Sequence, residues 1–246
     1  MDFVERWINL LEQTIRQALP VATGEAASVT RQLLGDPAPG VSPDRLTPRR
    51  REHAAFLDYT RALLPPSSTR PHGDRAAAEV RPAGSIGHIE ALFTNLRRYV
   101  ESQSPGAGGV GSIVELLQSH NGRTFTTVAS EDQLESWWFH ELVLLHGVAS
   151  FAALSDDPLA WKVVELGTSF HRDEIQADHA TADPWAIHAF ALNPQTQEVA
   201  GGILNATMIQ YAGEPDGVAL VLLAESLYCL KHVAQTRINR GKPESV

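Results

Sequence analysis

Three ionisable residues near the end of a predicted helix have the types and the spacing of a chemical site. His171, Glu174 and Asp178 lie at positions i, i+3 and i+7. At about 100° per residue these positions fall within about 60° of one another on the apolar face of the segment 162–178. A charge that faces a core costs on the order of several kcal/mol unless it is paired or neutralised. The pattern therefore predicts that all three side chains point inward for a specific reason.

Two interpretations account for this group. In the first, the face lines a cavity: His171 is an acid/base or a ligand, and Glu174 and Asp178 orient it or bind a cation. In the second, the same residues form a buried polar network in which one carboxylate fixes the following turn. The sequence leaves both interpretations open. On the first we assign His171, Glu174 and Asp178 as the candidate catalytic residues.

The loop and the helix that follow add three candidate ligand-binding residues. His179 lies in the polar turn, and Trp185 begins the next helix with His188 three residues later on the same face. Inward-facing side chains at these positions would lie beside the mouth of the preceding helix. A local interpretation also fits, in which Asp183 caps the helix, Thr181 bonds the backbone and Trp185 packs.

The segment WWFHELVLLH, residues 137–146, supplies the remaining candidates. It resembles a zinc-protease HExxH signature only partly, because the second histidine, His146, is six residues after His140 and lies about 120° away on the helix. These residues cannot chelate one ion together, so we reject the zincin interpretation. His140 and Glu141 could each face the His171 group across a cavity, and Trp137 shares a side with His140. We therefore predict Trp137, His140 and Glu141 as ligand-binding residues.

Charge distribution excludes some partners and favours others. The net charge is −9. Residues 1–123 hold 14 arginines against 13 acidic residues, and residues 124–246 hold 6 basic against 16 acidic residues. Phosphate neutralisation needs a basic face, so a nucleic-acid partner is not expected. The acidic half also holds four of the five tryptophans, which suits a cation, a metal ion or a neutral ligand.

Other familiar signals are missing from the sequence. The glycine-rich GAGGVG, residues 106–111, lacks the strand-to-helix context of a nucleotide fold, and no GxSxG elbow occurs. A single cysteine, Cys229, forms no internal disulfide and no cysteine metal cage. The N-terminus is not a secretory signal, and His146 and Glu225 break the two longest apolar runs, so no membrane span is expected. A cytoplasmic location follows as the default.

Apolar periodicity predicts an all-α protein with little or no β-structure. Only RTFTTVAS, residues 123–130, has strand-like composition. We expect an N-terminal helical region, 1–104, and a C-terminal helical core, 112–246, around a linker at 104–111, or one continuous domain. The predicted helices are 3–19, 24–34, 48–64, 85–102, 112–120, 132–154, 158–177, 184–192, 198–211 and 217–237.

The helix predicted up to Leu154 indicates the architecture of the second half. From Leu134 onward it is apolar nearly all round, which is typical of a helix surrounded by other helices. An α/α arrangement of helical hairpins, toroid-like or an irregular bundle, would place it in an inner layer.

The functional hypothesis is a small-molecule or cation site built from the acidic His/Glu/Asp/Trp group. A divalent metal is the candidate cofactor, and no nucleotide cofactor is expected. If the protein is an enzyme, we expect lyase- or hydrolase-type proton transfer on a neutral or cationic substrate. The alternative is a non-catalytic scaffold or protein-interaction domain in which the group is structural. Apolar surface on the first helices is compatible with a homo-oligomer.

Overall fold

The computed structural model describes residues 2–36, 46, 48, 50–64, 85–102, 110–119, 122–126, 134–175, 183–211 and 215–240. Within these residues the protein is all-α, as predicted, with ten α-helices, one π-helix and no strand. The α-helices are α1 (Phe3–Ala18), α2 (Gly24–Leu34), α3 (Arg51–Ala62), α4 (Ser85–Ser102), α5 (Val110–Ser119), α6 (Leu134–Ser155), α7 (Pro158–Phe170), α8 (Ile187–Leu192), α9 (Gln197–Gln210) and α10 (Gly217–Arg240).

Local sequence signals fix several helix ends. Asp2 is the N-cap of α1, and its side chain accepts a hydrogen bond from Val4 N at 3.5 Å. Asp157 caps α7 by accepting from the backbone N–H groups of Leu159 and Ala160, both at 2.9 Å, with Pro158 as the first helical residue. A carboxylate at these positions satisfies N–H groups that have no partner within the helix. Both predicted starts are therefore confirmed.

Two long helices, α6 and α10, form the centre of the fold. Every residue from Phe139 to Ala153 in α6 is buried, and α10 is buried from Val218 to Leu227. Helices α4, α7, α8 and α10 pack on α6, while α1, α2 and α8 pack on α10. Helices from both halves of the sequence thus contribute to one apolar core. The division of the chain near 104–111, and a toroid-like arrangement, stay predictions.

Length and composition alone would allow α6 and α10 to cross a membrane. Their apolar windows are 83% and 72% buried inside the fold, respectively. Core helices have the same composition, so this similarity is weak evidence for a membrane span.

Two local features differ from the prediction. The helix that begins at Pro158 changes into a π-helix at His171–Ile175 instead of continuing as a regular α-helix. The helix expected from Pro184 begins only at Ile187, after Ala186 takes a left-handed conformation with φ +57°. Residues 123–126 of the strand-like stretch form bends, and residues 127–130 lie outside the described residues.

Close packing of α4 against α6 requires a glycine at position 147. A Cβ atom on Gly147 would lie 2.6 Å from Leu92 Cδ2 and 3.0 Å from Leu92 Cγ. Gly201, in α9, has no atom within 4 Å of the corresponding position. The two glycines therefore form a matched pair for testing this contact.

We predict that Gly147→Ala lowers the free energy of unfolding and that Gly201→Ala raises it. Overpacking a core costs about 1–3 kcal/mol, which exceeds the gain of about 1 kcal/mol from replacing a helical glycine by alanine. Gly201→Ala brings the gain from replacing a helical glycine without the cost of overpacking. Urea unfolding of both variants measures the difference, and equal stabilisation by the two substitutions would contradict the packing of α4 on α6.

Candidate functional site

A buried carboxylate and an imidazole meet where α10 crosses α6. Glu225 Oε2 lies 3.0 Å from His146 Nε2, and both side chains are fully buried. The distance is that of an ion pair, but the two atoms are not aligned as a hydrogen bond. Each atom therefore keeps a lone pair or a proton that no other group in the described residues satisfies.

The other oxygen of Glu225 collects several donors. Ser150 Oγ donates to Oε1 at 2.8 Å, Tyr59 OH at 3.0 Å and Cys229 Sγ at 3.2 Å. Burial, the largest cause, and the negative charge of Glu225 raise the pKa of both Tyr59 and Cys229, so each keeps its proton and can donate it. Side chains from α3, α6 and α10 thus converge on one carboxylate oxygen.

His188, on α8, brings a second imidazole to the group. Its ring centroid lies 4.7 Å from that of His146, almost perpendicular to it. His188 Nε2 is 3.4 Å from Ser150 Oγ, and Nδ1 is 3.1 Å from Ser226 Oγ. A serine hydroxyl has one proton to donate. Since Ser150 donates it to Glu225, Ser150 accepts from His188 Nε2, and Ser226 then donates to Nδ1. A metal ion at Nε2 would take the place of the contact with Ser150.

Burial and charge act in opposite directions on Glu225. Burial raises its pKa, but the electrostatic interactions with His146 and His188 and the hydroxyl of Ser150 lower the pKa to about 2. The carboxylate is therefore ionised at neutral pH. A charged group without solvent contact in the centre of the fold needs a positive counterpart.

His188 is neutral at physiological pH. Burial, the largest cause, and the neighbouring His146 together lower its pKa to about 3, while Glu225 opposes the shift. A neutral imidazole has a free nitrogen lone pair, which is the form that binds metal ions.

Together His146, His188 and Glu225 could hold a metal ion. One ligand atom from each lies within 4.8 Å of the other two, and all three residues are buried. Zinc–nitrogen and zinc–oxygen bonds are about 2.0–2.2 Å long, so the side chains would close in slightly around an ion. Two histidines and one carboxylate form a ligand set that proteins use for zinc and for non-haem iron.

The backbone fixes which nitrogen of His146 carries a proton. Ala186 N donates to His146 Nδ1 at 3.1 Å, so Nδ1 must have a lone pair. In the neutral ring the proton is then on Nε2, facing Glu225. Full protonation of His146 would break the bond to Ala186. This constraint determines how a positive charge can be placed beside Glu225.

The three residues predicted as catalytic, His171, Glu174 and Asp178, do not share one environment in the structure. His171 is buried, with 1% of its surface exposed, as predicted. The expectation that Glu174 also faces inward is wrong, because Glu174 is exposed. The physical reason is the π-helix at 171–175, in which each residue turns through a smaller angle than in an α-helix. Asp178 and His179 lie outside the described residues. A catalytic role for His171 stays a prediction.

The predicted residues on α6 take separate positions. His140 Nε2 pairs with Glu52 Oε1 at 3.0 Å. Glu141 accepts from the backbone N–H groups of Phe125 and Thr126, both at 2.8 Å, and from the Thr126 hydroxyl at 2.6 Å. These contacts make Glu141 an anchor for the segment before α6. Neither residue belongs to the group that could hold a metal.

Trp137 and Trp185 have different surroundings. Trp137 is half-buried and donates from Nε1 to Thr126 O at 3.3 Å. Trp185 is fully buried and contacts the ring of His146 at a centroid distance of 5.2 Å. Nine site residues were predicted from the sequence. Among those that the structure describes, only His188 belongs to the candidate metal group.

Sequence reasoning missed His146 and Glu225 as site residues, although each gave a signal. His146 interrupts one of the two longest apolar runs of the chain, and Glu225 ends the other. A histidine or glutamate within an otherwise apolar buried helix needs a polar partner. The sequence could have indicated that both face inward, but not that they face each other.

Comparison of the chain with protein-family models, with curated proteins and with solved structures finds no match.

We predict that metal-stripped protein loses stability as the pH falls from 6.5, and that His188→Gln reduces this loss. The folded-state pKa of His188 is about 3, so below pH 6.5 the unfolded chain takes up a proton that the folded protein does not. The slope from one such group approaches about 1.4 kcal/mol per pH unit. Between pH 6.5 and 5, Glu225 adds little, because its stabilisation is lost only below about pH 4.5.

Urea unfolding in a chelator at several pH values provides the measurement. The exposed His232 supplies the control, and His232→Gln is expected to keep the wild-type slope. Parallel slopes for wild type and His188→Gln would show that His188 does not titrate as a buried imidazole.

We also predict that Glu141→Gln lowers the free energy of unfolding by about 1–3 kcal/mol. The amide that replaces one oxygen would face N–H or O–H donors at Phe125 and Thr126. Glu135→Gln, at an exposed position of the same helix, is expected to change stability little. Urea unfolding of both variants tests this, and equal effects would contradict the anchoring role of Glu141.

Proposed function

We propose that the protein binds one divalent transition-metal ion through His146, His188 and Glu225. The observation that supports this most directly is the pair of atoms at its centre. His146 Nε2 and Glu225 Oε2 are buried and 3.0 Å apart, yet they do not form an aligned hydrogen bond. Two ligands of a shared ion have this relation, and one ligand atom from each of His146, His188 and Glu225 lies within 4.8 Å of the other two.

Charge balance supports a cation at this position. Glu225 is fully buried, and a buried carboxylate needs a positive counterpart. Protonated His146 would supply that charge only by breaking the hydrogen bond from Ala186 N to Nδ1. Neutral His188 supplies none. A metal ion would supply the charge. To bind it as a neutral ligand, His146 would offer the lone pair of Nε2 and carry its proton on Nδ1, which would replace the hydrogen bond from Ala186 N.

The ligand types select the class of metal. Imidazole nitrogens suit zinc, iron, copper and nickel, whereas calcium and magnesium prefer oxygen ligands. Because all three residues are fully buried, the ion would connect α6, α8 and α10 and stabilise the fold as structural zinc sites do. Catalysis, of the lyase or hydrolase type or any other, remains a further hypothesis about this site.

A buried polar network without metal is the second candidate. The hydrogen bond from Ala186 N to His146 Nδ1 favours it, because that bond places a proton on Nε2. A metal-ligating histidine usually donates its other ring N–H instead. In this case the protein is a helical scaffold whose interior is held by His146, Glu225 and their hydroxyl partners.

Metal analysis of the purified protein distinguishes the two functions. We predict close to one zinc or iron ion per chain by inductively coupled plasma mass spectrometry. Removal by a chelator should lower the melting temperature, because a ligand at 100 times its Kd stabilises the folded state by about 2.7 kcal/mol. His188→Gln and Glu225→Gln are expected to lose the ion, and Glu141→Gln to keep it.

The glutamine variant at position 141 is a matched control because Glu141 is equally buried on α6 but lies outside the ligand group. A metal-free wild-type protein whose melting temperature does not respond to Zn²⁺, Fe²⁺, Mn²⁺ or Ni²⁺ would overturn the metal function. The buried network would then be the remaining account of His146 and Glu225.

A further inference from the structure

A second cluster of buried polar side chains lies beside the candidate metal group. His53, on α3, stacks on Trp185 with ring centroids 5.8 Å apart and an interplanar angle of 16°. His53 is 1% exposed and Trp185 is fully buried. Trp185 also contacts His146, so its ring lies between the two clusters and contacts both. The second cluster uses different polar atoms, and an inference about it does not depend on a bound metal.

A neighbouring carboxylate, that of Asp183, favours one position of the ring proton of His53. His53 Nε2 lies 3.2 Å from Asp183 Oδ2, and Tyr211 OH donates to Asp183 Oδ1 at 2.8 Å. The anchored carboxylate favours a proton on Nε2 of His53. In the neutral ring, Nδ1 is then a hydrogen-bond acceptor. This arrangement of carboxylate and imidazole is the one that positions a general base.

Three polar atoms of this cluster form no aligned hydrogen bond among the described residues, and all are shielded from solvent: His53 Nδ1, His53 Nε2 and Trp185 Nε1. His53 Nε2 still has Asp183 Oδ2 at 3.2 Å, whereas His53 Nδ1 and Trp185 Nε1 have no such neighbour in the described residues. An unsatisfied buried polar group costs about 1–3 kcal/mol, and such groups indicate a bound water, ion or ligand. Two of them on stacked rings, beside an anchored Asp–His pair, indicate one common occupant.

The chemistry of the two atoms restricts that occupant. The indole nitrogen of Trp185 only donates, whereas His53 Nδ1 accepts when Nε2 carries the proton. A hydroxyl group satisfies both, because it accepts from one and donates to the other. A ketone oxygen satisfies only Trp185, and the charge of Asp183 disfavours an anion. We infer that His53 and Trp185 bind the hydroxyl group of a small neutral molecule, with Asp183 and Tyr211 as positioning residues.

The Asp183 end of the cluster is the nearer to solvent, since Asp183 is 8% exposed. A small alcohol would enter there through a local opening of the fold. Once bound, its oxygen accepts from Trp185 Nε1 and its proton points to His53 Nδ1, which polarises the O–H bond.

The test compares an alcohol with a ketone of the same size on the full chain. Propan-2-ol and acetone are titrated separately into ¹⁵N-labelled protein, and the Trp185 indole N–H resonance is followed by NMR. Loss of one resonance in Trp185→Phe assigns that signal. We expect saturable binding of propan-2-ol at least tenfold tighter than that of acetone, with and without a chelator. His53→Phe, which keeps the stacked ring, should abolish the preference.

His232→Phe, at an exposed histidine, is the matched control and should behave as wild type. Equal responses to alcohol and ketone, an unchanged preference in His53→Phe, or no saturable shift with either probe would overturn the inference. The last result would mean that the cluster holds water only. If His53→Phe does not fold, the alcohol–ketone comparison in the wild type still decides. The chelator arm separates failure here from failure of the metal function.

Discussion

The carboxylate of Glu225 is the group on which the interior of this protein depends. It is fully buried, and an isolated carboxylate in such a place costs on the order of several kcal/mol. Donors from Tyr59, Ser150 and Cys229 meet one oxygen, and His146 faces the other. Because these partners come from α3, α6 and α10, a shift of any of these helices would leave the charge unsatisfied. The polar group thus fixes helix positions that apolar packing alone would leave adjustable.

The same principle extends along α6 and α3. His140 pairs with Glu52, and the adjacent His53 pairs with Asp183. Trp185 joins the latter pair to His146 through ring contacts. The core therefore contains a connected polar interior rather than isolated buried charges. Packing needs none of these groups, since apolar side chains of similar size fill a core as well or better. Their concentration around Trp185 is the physical reason to infer bound ligands there.

The helices were predictable because their signals are local. The helices predicted to start at residues 3 and 158 do start there, capped by Asp2 and Asp157, and the apolar composition of α6 indicated its central position. The site was less predictable. The helical wheel placed Glu174 beside His171, but a π-helix at 171–175 turned Glu174 outward. His146 and Glu225 were visible as polar interruptions, yet their pairing depends on the tertiary crossing of α6 and α10, which local periodicity does not encode.

Ala186 lies between the two candidate sites and contacts one of them through its backbone. Its left-handed conformation, φ +57°, costs an alanine about 1–2 kcal/mol, and it directs the backbone N–H at His146 Nδ1. In the neutral ring this bond places the proton of His146 on Nε2, toward Glu225. The preceding residue, Trp185, is held between His53 and His146 by the same turn. The strained turn at Ala186 thus sets the position of the ring proton on His146 and places the indole of Trp185 between two histidines, which couples the geometry of the two candidate sites.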